Sequence, residues 1–431
     1  MDYKIGIRRE DKNEWEKRVP LIPEHVKKLK ELGISTIIQP SKIRAFSDAQ
    51  YENSGGIVKE NLSECQSVFA VKEIPIDFFE SDKTYIFFSH TIKGQKYNMP
   101  MLKKMMELEC NLIDYEKIVN EKGFRLLFFG RFAGIAGMID TLWAFGQRLK
   151  YKKIDTPLNT IKQTIEYRDL DEIKNHFKLI GEKIKNKGLT DSIKPIIIGI
   201  AGYGHVSNGV QEILEVLPVI NISPGEIKKI FEEPKKNVLY KVVFKEKDMV
   251  EPISSDNNFD LQDYYDNPNR YKSIFERYVP YLSILMNCIY WDLRYPRLLT
   301  KEFAKNNYEK LRRLEVVGDI SIDINGAIEF SEKATTPDNP IYIYNPLTKK
   351  VTDGVEGEGI VLMGIDNLPC ELPKESSTSF SNILHKFIPK IAKADFSVDF
   401  NRCDLPPEVK KAVILYHGKL TSDYQYIDKY L

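Results

Sequence analysis

The stretch "KPIIIGIAGYGHVSNGVQEILEVLPVINIS", residues 194–223, decides the fold class. It begins as a β-branched apolar run, breaks at glycines, continues with helical spacing, and closes on a second apolar run. That order reads as strand, turn, helix and strand, one βαβ unit. A dinucleotide pyrophosphate needs a tight turn, a backbone with no Cβ in its way, and the positive end of a helix. Gly202 and Gly204 supply the first two, and His205, Val206 and Ser207 open the helix that completes the candidate cradle. The third fingerprint position falls on Ser207, and Gly209 follows two residues later, so the pattern is GxGxxS. A glycine turn alone is often a packing device; between a strand and a helix it favours nucleotide binding.

The second strand of this reading ends in "VINISPGEIKK". An acid there would bond a ribose 2′-OH and repel a 2′-phosphate. Asn221 and Ser223 stand near that place, no acid follows before Glu226, and Lys228 and Lys229 come next. The expectation is NADP(H) in preference to NAD(H), with Ser223 a candidate ribose contact.

Upstream, strand and helix signals alternate. "KIGIRR", "ISTIIQP", "SVFAVKE", "KTYIFFSH", "CNLIDYE" and "RLLFFG" read as strands, and "PEHVKKLKELG" and "NMPMLKKMMELE" as helices. Alternation at this scale predicts a parallel, doubly wound α/β sheet. "RFAGIAGMIDTLWAFGQRLK", residues 131–150, predicts one long core helix whose Ala133, Gly134, Ala136 and Gly137 admit a neighbouring backbone. Residues 151–193 read as Lys-rich and helical, and "DYYDNPNRYKSIFERYVPYLSILMNCIYW" as mainly helical. "VLYKVVFKE", "RLEVVGDIS" and "GIVLMGID" are expected strands, and "FSNILHKFIPKIAKA" a final helix.

The chain has 431 residues, which makes two domains the expectation. Its 63 Lys plus Arg against 62 Asp plus Glu give net +1, no basis for nucleic acid or an anionic membrane as partner. Apolar runs reach only about six to eight residues, against roughly 20 for a bilayer span. The opening "MDYKIGIRRE" lacks an apolar signal region, so a cytoplasmic location is expected, mitochondrial only after removal of a transit peptide. Five scattered cysteines without CxxC and six histidines without ligand spacing predict reduced thiols and no metal.

"FAVKEIP", residues 69–75, carries Lys72 and Glu73 at the end of an apolar run, and "FFSHTIKG" carries His90 at the end of the next. Neighbouring parallel strands deliver their ends to one crevice, so Lys72 and His90 are a candidate acid–base pair. Glu73, Glu116 and Asp114 are candidate partners that tune the lysine. Arg8, Arg9, Arg18, Arg125 and Arg131 suit the carboxylates of a dicarboxylate, each guanidinium binding bidentately. Surface pairing of the first three with Glu10, Glu14 and Glu16 is the alternative.

"IGIRREDKNEWEKRVPLIPEHVKKL", "AVKEIP", "FFSHTIKGQ", "FFGRFAGIAGMID", "GYGHVSNGVQEI", "NCIYWDLRYPRLLT", "GDISIDINGAIEF" and "GVEGEGIVLMGIDNLPCELPKES" occur in that order. Together they resemble the lysine–2-oxoglutarate reductase domain, the saccharopine dehydrogenase of the lysine-forming type. In animals and plants that domain is the N-terminal half of the bifunctional aminoadipic semialdehyde synthase. More distantly the chain is similar to fungal NAD-dependent saccharopine dehydrogenase, alanine dehydrogenase and transhydrogenase. The resemblance implies two Rossmann-like domains with the active site in the cleft between them. It implies a discontinuous substrate domain, residues 1–130 plus 320–431, and a dinucleotide-binding domain, residues 131–319. It puts Lys72 and His90 at the acid–base pair, Glu73 and Glu116 beside the lysine, Arg18 and Arg125 at substrate carboxylates, and Asp319 near the nicotinamide.

The implied reaction joins L-lysine and 2-oxoglutarate to saccharopine with NADPH, and a separate glutamate-forming saccharopine dehydrogenase is the implied functional partner. Two alternatives stand beside it: another amino- or imino-acid dehydrogenase of this fold, NAD-dependent or otherwise, and a non-catalytic NADP(H)-binding regulatory protein.

Overall fold

The structure, a computed structural model, describes residues 3–254 and 258–431. The chain divides into two units, residues 1–129 with 373–431, and residues 130–372.

The first unit begins with β1 (Tyr3–Ile7), β2 (Ile34–Ile38), β3 (Ile57–Val58), β4 (Ser67–Phe69), β5 (Thr84–Phe87) and β6 (Asn111–Asp114). They lie in the order β6–β5–β4–β1–β2–β3, every neighbour parallel. Buried apolar residues such as Ile5, Ile7, Val68, Phe69, Ile86 and Ile113 explain the near-continuous hydrophobic runs, because a parallel sheet covered on both faces needs no polar side. The chain winds outward from β1 to β3, then restarts on the other side at β4. β1 and β4 therefore flank the switch point, where Ile7 pairs with Phe69. The expected strand in "RLLFFG" is absent; only Arg125 bridges, to Val119.

The second unit starts with the helix Gly130–Tyr151, buried on nearly every side from Phe132 to Leu149. A Cβ on Gly134 would stand 1.9 Å from Val206 O, and one on Gly209 would stand 2.0 Å from Arg131 O. The expected close approach of a backbone to this helix is thus made by the helix His205–Leu214. The strands follow as β7 (Ile197–Ala201), β8 (Val219–Asn221), β9 (Leu239–Phe244), β10 (Val250–Pro252), β11 (Tyr271–Ser273), β12 (Ile284–Asn287), β13 (Val316–Asp319), β14 (Ile341–Tyr344), β15 (Val351–Asp353) and β16 (Ile360–Met363). β10 and β11 form a separate antiparallel ribbon; the rest order as β15–β14–β16–β13–β12–β7–β9–β8.

Three expectations change here. The βαβ partner of β7 is β9, not β8, which lies at the sheet edge. The place beside β7 is covered on both sides and takes the longer, buried "LYKVVF"; the three-residue β8 is partly exposed. Residues 320–372 belong to the second unit, because β16 pairs with β13 and β14 with β16. The return crossing therefore comes after Leu372, not at residue 320. The segment expected to be mainly helical contains only one helix, Leu261–Asp266, with short 3-10 turns and the strands β11 and β12. Pro268 and Pro280 break the helical ladder there.

The chain then re-enters the first unit through the helix Pro373–Leu384 and ends with β17 (Val413–Tyr416) and β18 (Lys419–Leu420), antiparallel beside β6. The final helix expected over "FSNILHKFIPKIAKA" is split into Pro373–Leu384 and Ile388–Lys393. Among the described residues no helix is long and apolar enough to cross a membrane.

Candidate functional sites in the two units

At the switch point of the first unit, Glu10 leaves the end of β1 and turns inward. Its carboxylate accepts the backbone N–H of Val71 at 2.6 Å and of Lys72 at 2.9 Å. It thereby holds the segment that follows β4 and fixes where Lys72 begins. Burial pushes the Glu10 carboxyl up to about 7; neighbouring Glu16 adds to this, and the two amides and Arg8 oppose it. The alternative reading made Glu10 and Glu16 surface partners of the arginines; both are buried.

Burial holds the Lys72 ammonium below its ordinary value, and the Arg18 cation reinforces this while Glu16 and Glu73 oppose it. Such a lysine exchanges protons nearer neutrality than a solvated one. Glu73 bonds His90 instead of Lys72: its Oε1 lies 2.7 Å from His90 Nδ1, and Lys12 Nζ donates to its Oε2 at 3.0 Å. Burial acts to raise the Glu73 carboxyl, but the His90 bond and the Lys12 charge outweigh it and hold it far below the carboxylate range. His90 itself has φ 48°, the left-handed region, which costs a non-glycine residue on the order of 1 kcal/mol or more. Asn98 Nδ2 keeps it there, donating to Ser89 O at 2.9 Å and His90 O at 3.3 Å. Glu73 thus sits next to Lys72 in the chain and holds His90 by its side chain.

The other expected partners take different work. Asp114 is buried and accepts from Ser89 N at 2.9 Å, Glu116 N at 2.7 Å and the Ser89 hydroxyl, which ties the ends of β5 and β6 together. Glu116 pairs with Arg125 at 2.8 Å. Arg18 is buried and grips the equally buried Glu16 through two nitrogens. Both arginines lie on aromatic faces, Arg18 at 4.3 Å over Phe129 and Arg125 at 5.4 Å over Phe88. Phe88, Tyr115, Phe129 and Phe380 pack edge and face into one platform, with His90 stacked on Phe88. Lys72, Glu73, His90, Arg18, Glu116 and Arg125 are therefore gathered in one unit. Arg8 pairs with Asp11, and Arg9 with Glu60. Arg131 belongs to the second unit, bound bidentately by Glu212.

In the second unit, β7 delivers the glycine turn to the point between β9 and β12. Gly202 N donates to Phe244 O at 3.0 Å, and Cys288 N to Ala201 O at 3.0 Å. Gly202 has φ 96°, and a Cβ there would meet Ile289 Cγ2 and the Cys288 carbonyl. Gly204 faces open space, with nothing within 4 Å of a Cβ. The helix bonds itself first from Asn208 N to Gly204 O, so the N–H groups of His205, Val206 and Ser207 lie outside its ladder. The open Gly204 and left-handed Gly202 fit a pyrophosphate cradle. Ser207 is buried and accepts from Gln211 Nε2 at 3.2 Å, while Gly209 makes the helix–helix contact. That is why the third glycine sits two residues late: the packing it serves is against a helix.

Asp319 ends β13, buried, accepting from Asn287 Nδ2 at 2.8 Å, Ile322 N at 3.2 Å and the Ser331 hydroxyl. Burial pushes it up to about 6 against these bonds. It organises the loops at this end of the sheet through internal partners. Ser223 donates its hydroxyl to Glu226 at 2.7 Å, capping a turn after the edge strand. Among the described residues no group of three His, Cys, Asp or Glu side chains is arranged to hold a metal.

The chain matches the alanine dehydrogenase/PNT N-terminal domain over residues 6–136 and the C-terminal domain of the same family over 293–423. It is 37% identical to α-aminoadipic semialdehyde synthase of Arabidopsis thaliana, over 99% of this chain and 41% of that protein. It is 35% identical to the mitochondrial α-aminoadipic semialdehyde synthase of Mus musculus, over 99% and 47%. The chain thus spans about half the length of these curated relatives. The NAD(+), L-lysine-forming saccharopine dehydrogenase of Emericella nidulans is 25% identical over 88% of this chain and 90% of its own. Two solved structures share the fold: an L-alanine dehydrogenase, TM-score 0.64 at 16% identity over 99% and 98%, and a transhydrogenase from Sinorhizobium meliloti, 0.53 at 14% over 97% and 100%. Two parallel-rich sheets, the two matched domains and these relatives establish that the chain belongs to the alanine dehydrogenase/PNT family.

Proposed function

We propose that the chain catalyses the reductive condensation of L-lysine with 2-oxoglutarate to saccharopine, with NADPH as reductant. The observation that carries this reading is the Lys72–Glu73–His90 group at the switch point of a chain 37% identical to an aminoadipic semialdehyde synthase. The first unit serves as the substrate domain and the second as the dinucleotide domain.

The ε-amine of lysine attacks a ketone only after losing its proton, and the resulting carbinolamine sheds its hydroxyl as water only after gaining one. Two groups able to carry these protons are needed. Lys72 Nζ, lowered by burial and Arg18, is one. His90 is the other: Glu73 engages Nδ1, which leaves Nε2 to trade a proton with substrate. Arg18 and Arg125, held on the aromatic platform, orient the oxoglutarate carboxylates. Nicotinamide, when bound, supplies the hydride that reduces the imine carbon. Saccharopine then passes to a separate glutamate-forming dehydrogenase, and the compartment proposed is the cytoplasm.

The test follows NADPH absorbance with purified protein, lysine and 2-oxoglutarate. Oxidation requiring both substrates is expected, falling roughly 10²- to 10⁴-fold in Lys72→Met with nucleotide binding retained. A folded, nucleotide-binding wild type that oxidises nothing would sink the reading, and turnover with pyruvate and ammonia would move it to another dehydrogenase of this fold.

A further inference from the structure

The strand beside β7 is the one whose end meets the adenosine ribose of a nucleotide seated on the glycine turn. That strand is β9, so the residues that choose between a ribose 2′-OH and a 2′-phosphate follow Phe244. They read "KEKD", residues 245–248. A cavity of about 390 Å³ opens here between the ends of β8 and β9, and Lys241, Lys245 and Lys247 all line it. Asn221, Ser223 and Gln211 add polar groups, and among the described residues Asp248 is the one carboxylate on its wall. Asp248 accepts the Lys245 backbone N–H at 2.9 Å. Glu246, the acid nearest the strand end, does not line the cavity; it accepts from the Tyr265 hydroxyl at 2.7 Å.

We propose that Lys245 and Lys247, backed by Lys241, form a subsite for the 2′-phosphate of the nucleotide. The inference rests on the reading of the second unit as the nucleotide-binding one. Lys245 Nζ lies 5.7 Å from the ring centre of Tyr203, the residue between Gly202 and Gly204, so this lysine reaches from the cavity to the pyrophosphate turn. Lys241 is only 5% exposed, with Glu215 at 3.8 Å as its ion-pair partner. A buried ammonium facing a cavity gains from an anion placed there, and a phosphomonoester brings about −1.5 to −2 charges at neutral pH. A ribose hydroxyl brings none. Lys228 and Lys229, which the sequence order places after the second strand, lie on the helix beyond the edge strand and do not line this cavity.

Calorimetry on the full chain tests this with adenosine 2′,5′-bisphosphate and 5′-AMP as probes. The wild type is expected to prefer the bisphosphate roughly tenfold to a hundredfold, the worth of one or two charge-assisted bonds. In K245A/K247A the preference for the bisphosphate over 5′-AMP collapses, with unchanged circular dichroism. K228A/K229A keeps the preference. Equal binding of the two probes by the wild type, a preference that survives in K245A/K247A, or one lost in K228A/K229A would each overturn the subsite. The reaction proposed above fails separately: protein that prefers the bisphosphate yet leaves lysine and oxoglutarate unconsumed keeps the subsite and loses that reaction.

Discussion

Asp140 and Glu371 face each other inside the second unit, one on the long helix and one in the turn just before the chain leaves the unit. Asp140 accepts the Thr164 N–H at 2.8 Å; its other oxygen and both Glu371 oxygens have no donor beyond each other. Burial raises both carboxyls, and the Asp140 charge drives Glu371 well above the ordinary range, with Cys370 and Glu166 adding to the local negative potential. The pair therefore holds a shared proton, and its titration belongs to both residues. Unfolded, each carboxyl loses its proton near the ordinary value, so folding takes up a proton at higher pH. Stability contributed here is complete below about pH 4 and declines as pH rises through the folded titration. Glu371→Gln keeps a donor for Asp140 and removes the titration. It should flatten the decline of urea stability that sets in above about pH 4, and a steeper decline would refute the shared proton.

At the residue scale, the placement of Lys72 and His90 just beyond the ends of neighbouring parallel strands was legible from the apolar runs that precede them. Glu10 was not, because an acid in a charged stretch reads as solvated until the fold turns it onto the N–H groups of Val71 and Lys72.

Between elements, the helix Gly130–Tyr151 and the helix His205–Leu214 approach through Gly134 and Gly209. A methyl at either place meets a carbonyl oxygen of the other helix. Gly134→Ala should destabilise the protein by about 1–3 kcal/mol or more, since overpacking forces the backbones apart. Denaturant titration would show it as a lowered midpoint; Gly204→Ala, facing open space, serves as the control with little change in stability. The small residues of the long helix announced a close approach in the sequence, but the partner did not, because packing faces are matched in space. The same limit misplaced β8. Local pattern shows that a strand exists, whereas its rank in the sheet depends on which run can be buried on both sides.

At the scale of the whole molecule, the first unit is discontinuous. Phe380, Leu384, Ile391, Ile414 and Leu415, all beyond Leu372, sit in its core, and β17 covers the edge of β6. A chain ending at Leu372 leaves that core open and the edge unpaired. Such a truncation is expected to be insoluble or to lose the cooperative transition of the first unit; a soluble chain with wild-type circular dichroism and melting would refute the dependence.

The sequence by itself determined the α/β class, the glycine turn, the strand-end lysine and histidine, and most of the parallel strands. Those follow from periodicity and backbone sterics, which act over a few residues. Only the tertiary structure decided the order of β8 and β9, the crossing at Leu372, the burial of Glu10 and Glu16, and the lysines that line the cavity. Each of these depends on which distant segments exclude water from one another, and no local pattern encodes that choice.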